Sequence, residues 1–217
     1  MKKNIDLSLY LVTDRELSKG RTIEYIVDQA VKGGVTMVQL REKNCSSREF
    51  LELAIRLKKI LKNKNIPLII NDRLDIALAA EADGLHIGQS DMPYKKAREI
   101  LGHKAIIGLS VENLDQAVEA NKYEDLNYIG LSPVFSTPTK TDLNTQLGLQ
   151  GVKDISKISK HKIVGIGGIN LSNAKDVIMA GAQGVSVVSA ICSANNPYLA
   201  ARELKNQVVS SLNKNFK

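Results

Sequence analysis

Residues 67–73 read Pro-Leu-Ile-Ile-Asn-Asp-Arg. Three strand-forming apolar residues run without alternation, and the chain then turns polar at Asn71-Asp72-Arg73. A short unbroken apolar run is how a strand covered on both faces reads. A polar cluster at its carboxyl end is where an α/β barrel keeps its chemistry. The same pattern recurs along the chain. It predicts strands at Leu9–Thr13, Met37–Leu40, Pro67–Asn71, Gly84–Ile87, Ala105–Ser110, Tyr128–Leu131, Lys162–Ile166 and Gly184–Val188.

The stretches between these runs have helical period. Ile23, Ile26, Val27, Ala30 and Val31 share one face, as do Phe50, Leu53, Ala54, Leu57 and Leu61. Pro93, Asn113 and Pro197 stand where helices can begin, and Gly33, Gly102 and Gly181 where they can end. Eight strand–helix units in sequence predict an α/β chain folded as a single-domain (β/α)8 TIM barrel over residues 1–217. The alternative, an open doubly wound sheet, calls for a glycine-rich turn after the first strand, and Asp14-Arg15-Glu16 is not one.

The bulk numbers agree with this class. At 217 residues the chain has the length of a small barrel. Aromatic residues make up 4% and Trp is absent, so the core must be aliphatic. Lys and Arg outnumber Asp and Glu by 30 to 23. The excess is spread over predicted helix faces, as at Lys58, Lys59, Lys62 and Lys64, without the interleaved aromatics that stack on bases. No nucleic-acid or membrane partner is expected. Cys45 and Cys192 imply no disulfide framework. No apolar run reads as a signal peptide or membrane span, so the expected location is cytoplasmic.

Reading the strand tips in order gives Asp14-Arg15, Gln39-Leu40-Arg41-Glu42-Lys43, Asn71-Asp72-Arg73, His86 with Gln89-Ser90-Asp91, and Ser110. Next come Ser136-Thr137-Pro138-Thr139-Lys140, Gly165-Ile166-Gly167-Gly168, and Val188-Ser189-Ala190. Asp72 and Asp91 follow neighbouring strands, and Arg41, Lys43 and Lys140 are cationic. Carboxylates grouped with cations point to Mg²⁺ bridging protein and phosphate oxygens. The glycines after strand seven, with Val188 and Ser189 after strand eight, form the usual metal-free phosphate position of a barrel. Two phosphate sites are therefore expected, for two phosphorylated small molecules. The long polar segment from Ser132 to Gly148 has the length of a functional loop.

Several of these motifs together resemble the thiamine-phosphate synthase family. They are Tyr10-Leu-Val-Thr-Asp14, Val38-Gln-Leu-Arg-Glu-Lys43, Asn71-Asp-Arg73, Asp83-Gly-Leu-His-Ile-Gly-Gln-Ser-Asp-Met-Pro93, Ile107-Gly-Leu-Ser110, Pro133-Val-Phe-Ser-Thr-Pro-Thr-Lys140 and Gly165-Ile-Gly-Gly168. The resemblance implies an enzyme that couples a pyrimidine diphosphate to a thiazole phosphate, with Mg²⁺ as cofactor and a pyrimidine carbocation on the path. Carried over by motif, Gln39, Leu40, Arg41, Glu42, Lys43, Asn71, Ser110 and Lys140 contact the pyrimidine diphosphate. Arg41, Lys43, Ser110 and Lys140 are the catalytic set among them. Asp72 and Asp91 hold the metal. Thr137, Pro138, Thr139, Gly168, Val188 and Ser189 hold the thiazole phosphate. Ser132 departs from the glycine more common in the family. A thiazole tautomerase relative would share the barrel but has no use for the metal and diphosphate set. A sugar-phosphate isomerase needs an acid/base pair, and His86 is the lone imidazole at a strand tip. A non-catalytic thiazole-phosphate-binding barrel would not need the full set of charges.

Overall fold

The computed structural model of the protein describes residues 5–136 and 146–215. Its elements run β1 (Leu9–Val12), α1 (Ile23–Lys32), β2 (Met37–Leu40), α2 (Ser47–Lys62), β3 (Leu68–Asn71) and α3 (Leu74–Ala79). They continue through β4 (Gly84–Ile87), α4 (Tyr94–Leu101), β5 (Ile106–Val111), α5 (Leu114–Ala120), β6 (Tyr128–Leu131) and α6 (Gly148–Ile158). The chain ends with β7 (Lys162–Ile166), α7 (Ala174–Met179), β8 (Gly184–Val187), a short α8 (Ser189–Cys192) and α9 (Pro197–Asn215). The strands pair in parallel in chain order, and β8 returns to β1 through Tyr10 opposite Ser186. The expected TIM barrel is the fold observed.

Five expected strand boundaries shift by a residue: Thr13, Pro67, Ala105 and Val188 fall outside, and β5 continues through Val111. Ladders fade at their ends rather than stop. Thr13, for example, still donates its N–H to the Gln39 carbonyl at 2.9 Å. Helix starts follow their caps. Thr22 accepts from the Tyr25 N–H, Ser46 and Glu49 form a reciprocal capping box, and Asn113 accepts from the Gln116 N–H.

Side-chain alternation sorts the core into two layers. Leu9, Leu11, Val38, Leu40, Leu68, Ile70, Ile129 and Val185 face outward and are buried under the helices. Tyr10, Met37, Ile69, Ile106, Tyr128 and Val164 face the barrel axis. The inner layer closes only because large and small residues meet across the sheet. Gly108 lies opposite Tyr128, and a Cβ there would stand 2.1 Å from the tyrosine ring. The polar strand ends are thereby left open above a packed floor. Among the described residues no helix is long and apolar enough to cross a membrane.

Candidate active site

The carboxyl ends of the strands surround a pocket of about 530 Å³. Its lining follows from alternation along β2 and the residues after it. Gln39, Arg41 and Lys43 share the inward parity and line the pocket. Leu40 and Glu42 have the opposite parity. Leu40 is fully buried under the helices, and the Glu42 side chain is 3% exposed and accepts from Arg15 Nε at 3.0 Å. The side chains of Leu40 and Glu42, expected beside the diphosphate, are therefore turned away from the pocket.

Lys43 Nζ donates to Asp72 Oδ2 at 2.6 Å, and Arg41 lies 3.6 Å from the Asp14 carboxylate. Asp72 follows β3 with φ of 59°, a left-handed conformation that Asp and Asn tolerate better than most residues. Its N–H is held by the His86 carbonyl at 2.9 Å. Asp91 Oδ2 accepts from the Gly88 N–H at 2.7 Å. Burial raises both carboxyl pKa values, but the outcomes diverge. The Lys43 hydrogen bond and charge bring Asp72 below the ordinary carboxylate range. Burial together with the adjoining Asp72 carboxylate leaves Asp91 above it. Two apposed carboxylates, one ionised and one resisting ionisation, leave room for added positive charge. Among the described residues there is no cluster of three or more His, Cys, Asp or Glu able to hold a metal alone. A two-carboxylate set suits Mg²⁺, which takes its remaining ligands from substrate phosphate and water.

Gly168, Val188 and Ser189 meet on the opposite side of the same pocket. Gly167 and Gly168 have φ of 99° and 64°, and the Asn173 amide ties the Gly168 carbonyl at 3.0 Å. Ser136 packs on Gly168, with its carbonyl oxygen 2.6 Å from where a Cβ would stand. Thr137, Pro138, Thr139 and Lys140 lie outside the described residues. Asn71 and Ser110 line the pocket beside Lys43 and His86.

The floor was not anticipated. Tyr10, Tyr128, His86 and Ser186 all line it. Gln39 Nε2 donates to Tyr10 Oη at 2.7 Å, and the two phenol oxygens are 2.9 Å apart. His86 then bridges Tyr128 Oη (Nδ1, 3.0 Å) and Ser110 Oγ (Nε2, 3.0 Å). Burial pushes both phenol pKa values far up, so both remain protonated at neutral pH. A signal for the floor existed in the sequence, since Tyr10 and Tyr128 are polar-tipped residues inside apolar strands of an aromatic-poor chain. Ser186 is 2% exposed and its hydroxyl has no partner among the described residues. Ser186→Ala is accordingly expected to leave the urea unfolding free energy within about 0.5 kcal/mol of wild type, because no bond is lost. A loss above about 1 kcal/mol would show that the hydroxyl is bonded in solution.

Comparison with known proteins bears on this arrangement. The thiamine monophosphate synthase family profile matches residues 9–191. A thiamine-phosphate synthase of Leptospira biflexa is 54% identical over 202 residues, covering 92% of this chain and 96% of the relative. One from Clostridium acetobutylicum is 51% identical over 192 residues, covering 88% and 90%. The solved thiamine phosphate pyrophosphorylase of Pyrococcus furiosus superposes with a TM-score of 0.88 at 37% identity, covering 95% of this chain and 98% of that one. Fold, pocket and sequence agree: the chain belongs to the thiamine monophosphate synthase family and is a transferase enzyme.

Proposed function

We propose that the pocket joins 4-amino-2-methyl-5-(diphosphooxymethyl)pyrimidine to thiazole phosphate, giving thiamine phosphate and diphosphate. The observation that carries this reading is the division of one pocket into two ends. Cations and paired carboxylates stand above β2 to β4, and the Gly167-Gly168 turn with Val188 and Ser189 lines the pocket above β7 and β8. A diphosphate fits the first end and a monophosphate the second.

The chemistry is a substitution at the pyrimidine methylene. The C–O bond breaks with its electron pair leaving on diphosphate, and the thiazole nitrogen lone pair forms the new C–N bond. The methylene passes through a ring-stabilised cation. No proton is transferred in this step, so it needs no dedicated base. Arg41 and Lys43 act by stabilising charge that builds on the leaving oxygen, aided by Lys140. Asp72 and Asp91 would hold Mg²⁺, which would supply further neutralisation of that charge when bound. Closure of the site against water matters here, since water would capture the cation.

Incubation of the enzyme with both substrates and Mg²⁺ is expected to release diphosphate stoichiometric with thiamine phosphate. Chelation by EDTA is expected to abolish release, and re-addition of Mg²⁺ to restore it. Turnover unchanged in EDTA would remove Asp72 and Asp91 from the role of metal ligands.

A further inference from the structure

The floor of the pocket contains more ordered polar chemistry than substitution at a methylene requires. Five side chains from five strands are linked in one file: Gln39, Tyr10, Tyr128, His86 and Ser110. Three of the members (Tyr10, Tyr128 and Gln39) are almost wholly buried. Polar groups so placed are costly unless bonded in a consistent pattern.

The donor rules leave this file few arrangements. A phenol has one proton, and a neutral imidazole has one N–H and one acceptor nitrogen. Gln39 donates through Nε2 to Tyr10. In the arrangement continuous with that bond, the Tyr10 proton goes to Tyr128 and the Tyr128 proton to His86 Nδ1. The remaining imidazole proton must sit on Nε2, where it faces Ser110 Oγ at 3.0 Å. Ser110 thus accepts from His86 and turns its hydroxyl proton away from the histidine. Every bond points the same way, from Gln39 toward Ser110.

We propose that Gln39, Tyr10, Tyr128 and His86 are positioning residues that form a one-way hydrogen-bond chain, fixing His86 as the Nε2–H tautomer and presenting Ser110 as a hydrogen-bond donor to a ring nitrogen of the pyrimidine. The proposal rests on the coupling reaction above. The ring belongs at the floor because the aromatic rings are packed together there, Tyr10 edge to face with Tyr128 at 5.9 Å and His86 stacked on Tyr128 at 5.6 Å, while the charged side chains stand at the strand tips. Unsubstituted ring nitrogens of a pyrimidine only accept, so a donor hydroxyl reads them directly. The chain also gives the ring a fixed depth and rotation, which sets the methylene under the cations at the rim.

The tautomer of His86 can be read without substrate, from the ¹⁵N shifts of selectively labelled enzyme. Wild type is expected to show protonated Nε2 and unprotonated Nδ1. Gln39→Glu places an acceptor-only carboxylate at the head of the chain. Tyr10 must then donate to it, each bond reverses, and His86 is expected to become the Nδ1–H tautomer. Tyr128→Phe removes one oxygen and keeps the ring; it is expected to abolish the single-tautomer signature. In assays, Tyr128→Phe is expected to raise the KM for the pyrimidine diphosphate about tenfold, the worth of one well-made hydrogen bond, and to leave that for thiazole phosphate unchanged. Combining it with Ser110→Ala is expected to cost no more than Ser110→Ala alone. Tyr10→Phe, one link further away, serves if Tyr128→Phe is poorly folded. An Nδ1–H wild type, a tautomer indifferent to Gln39→Glu, or additive effects of Tyr128→Phe and Ser110→Ala would overturn the chain. Correct tautomers in an enzyme that never couples the two substrates would uphold the chain and sink the assigned reaction.

Discussion

Asp72→Asn is expected to lower kcat for diphosphate release by roughly 100- to 1,000-fold, the loss typical when one charge-stabilising group is removed from a reacting centre. Asn is the informative replacement because Asp72 sits at φ of 59°. Asn shares the tolerance of Asp for that conformation, whereas Ala would add backbone strain to the loss of charge. The substitution removes the negative charge opposite Lys43 Nζ, which stands 2.6 Å from Asp72 Oδ2, and half of the carboxylate pair. The Mg²⁺ concentration for half-maximal rate is expected to rise as well, while circular dichroism stays as in wild type. Near-wild-type turnover at ordinary Mg²⁺ would mean that the diphosphate end of the pocket works without this carboxylate.

Gly168→Val is the second large effect, at the other end of the pocket. Gly168 has φ of 64°, where a β-branched residue is a true outlier. The new Cβ would stand 2.6 Å from the Ser136 carbonyl oxygen and 2.8 Å from Phe135 Cβ. Backbone after β7 must swing to relieve both, and it carries the anion-facing turn with it. A strain of about 2–3 kcal/mol, expressed in binding, corresponds to roughly a thirty- to hundredfold rise in the KM for thiazole phosphate. The KM for the pyrimidine diphosphate is expected to change by less than about threefold, since Arg41, Lys43 and Asp72 follow other strands, β2 and β3. Equal losses for both substrates would show that the two phosphate positions are one.

These two predictions rest on features of different legibility. The tip residues Arg41, Lys43, Asp72, Asp91, Gly168 and Ser189 could be picked out because each follows an apolar run, and a barrel gathers such tips at one end. Leu40 and Glu42 show the limit of reading a motif as a block. Alternation alone sends their side chains to the helix side, as counting two residues at a time from Met37 shows. His86 was legible as a tip residue but not as a connector, because its meaning depends on what it touches.

The eight apolar runs with helical intervals determined the parallel barrel, since strands covered on both faces admit few other arrangements. The charges after those runs set the expectation of phosphate chemistry at the strand ends. Only the tertiary structure decided what lies beneath them. Tyr10 and Tyr128 are separated by 118 positions in the chain, yet their hydroxyls are 2.9 Å apart. That contact exists because the sheet closes on itself and because Gly108 clears space for the Tyr128 ring. Periodicity records which face a side chain takes. The partner it meets across the barrel is set by closure and by packing volume, which no local window of sequence contains.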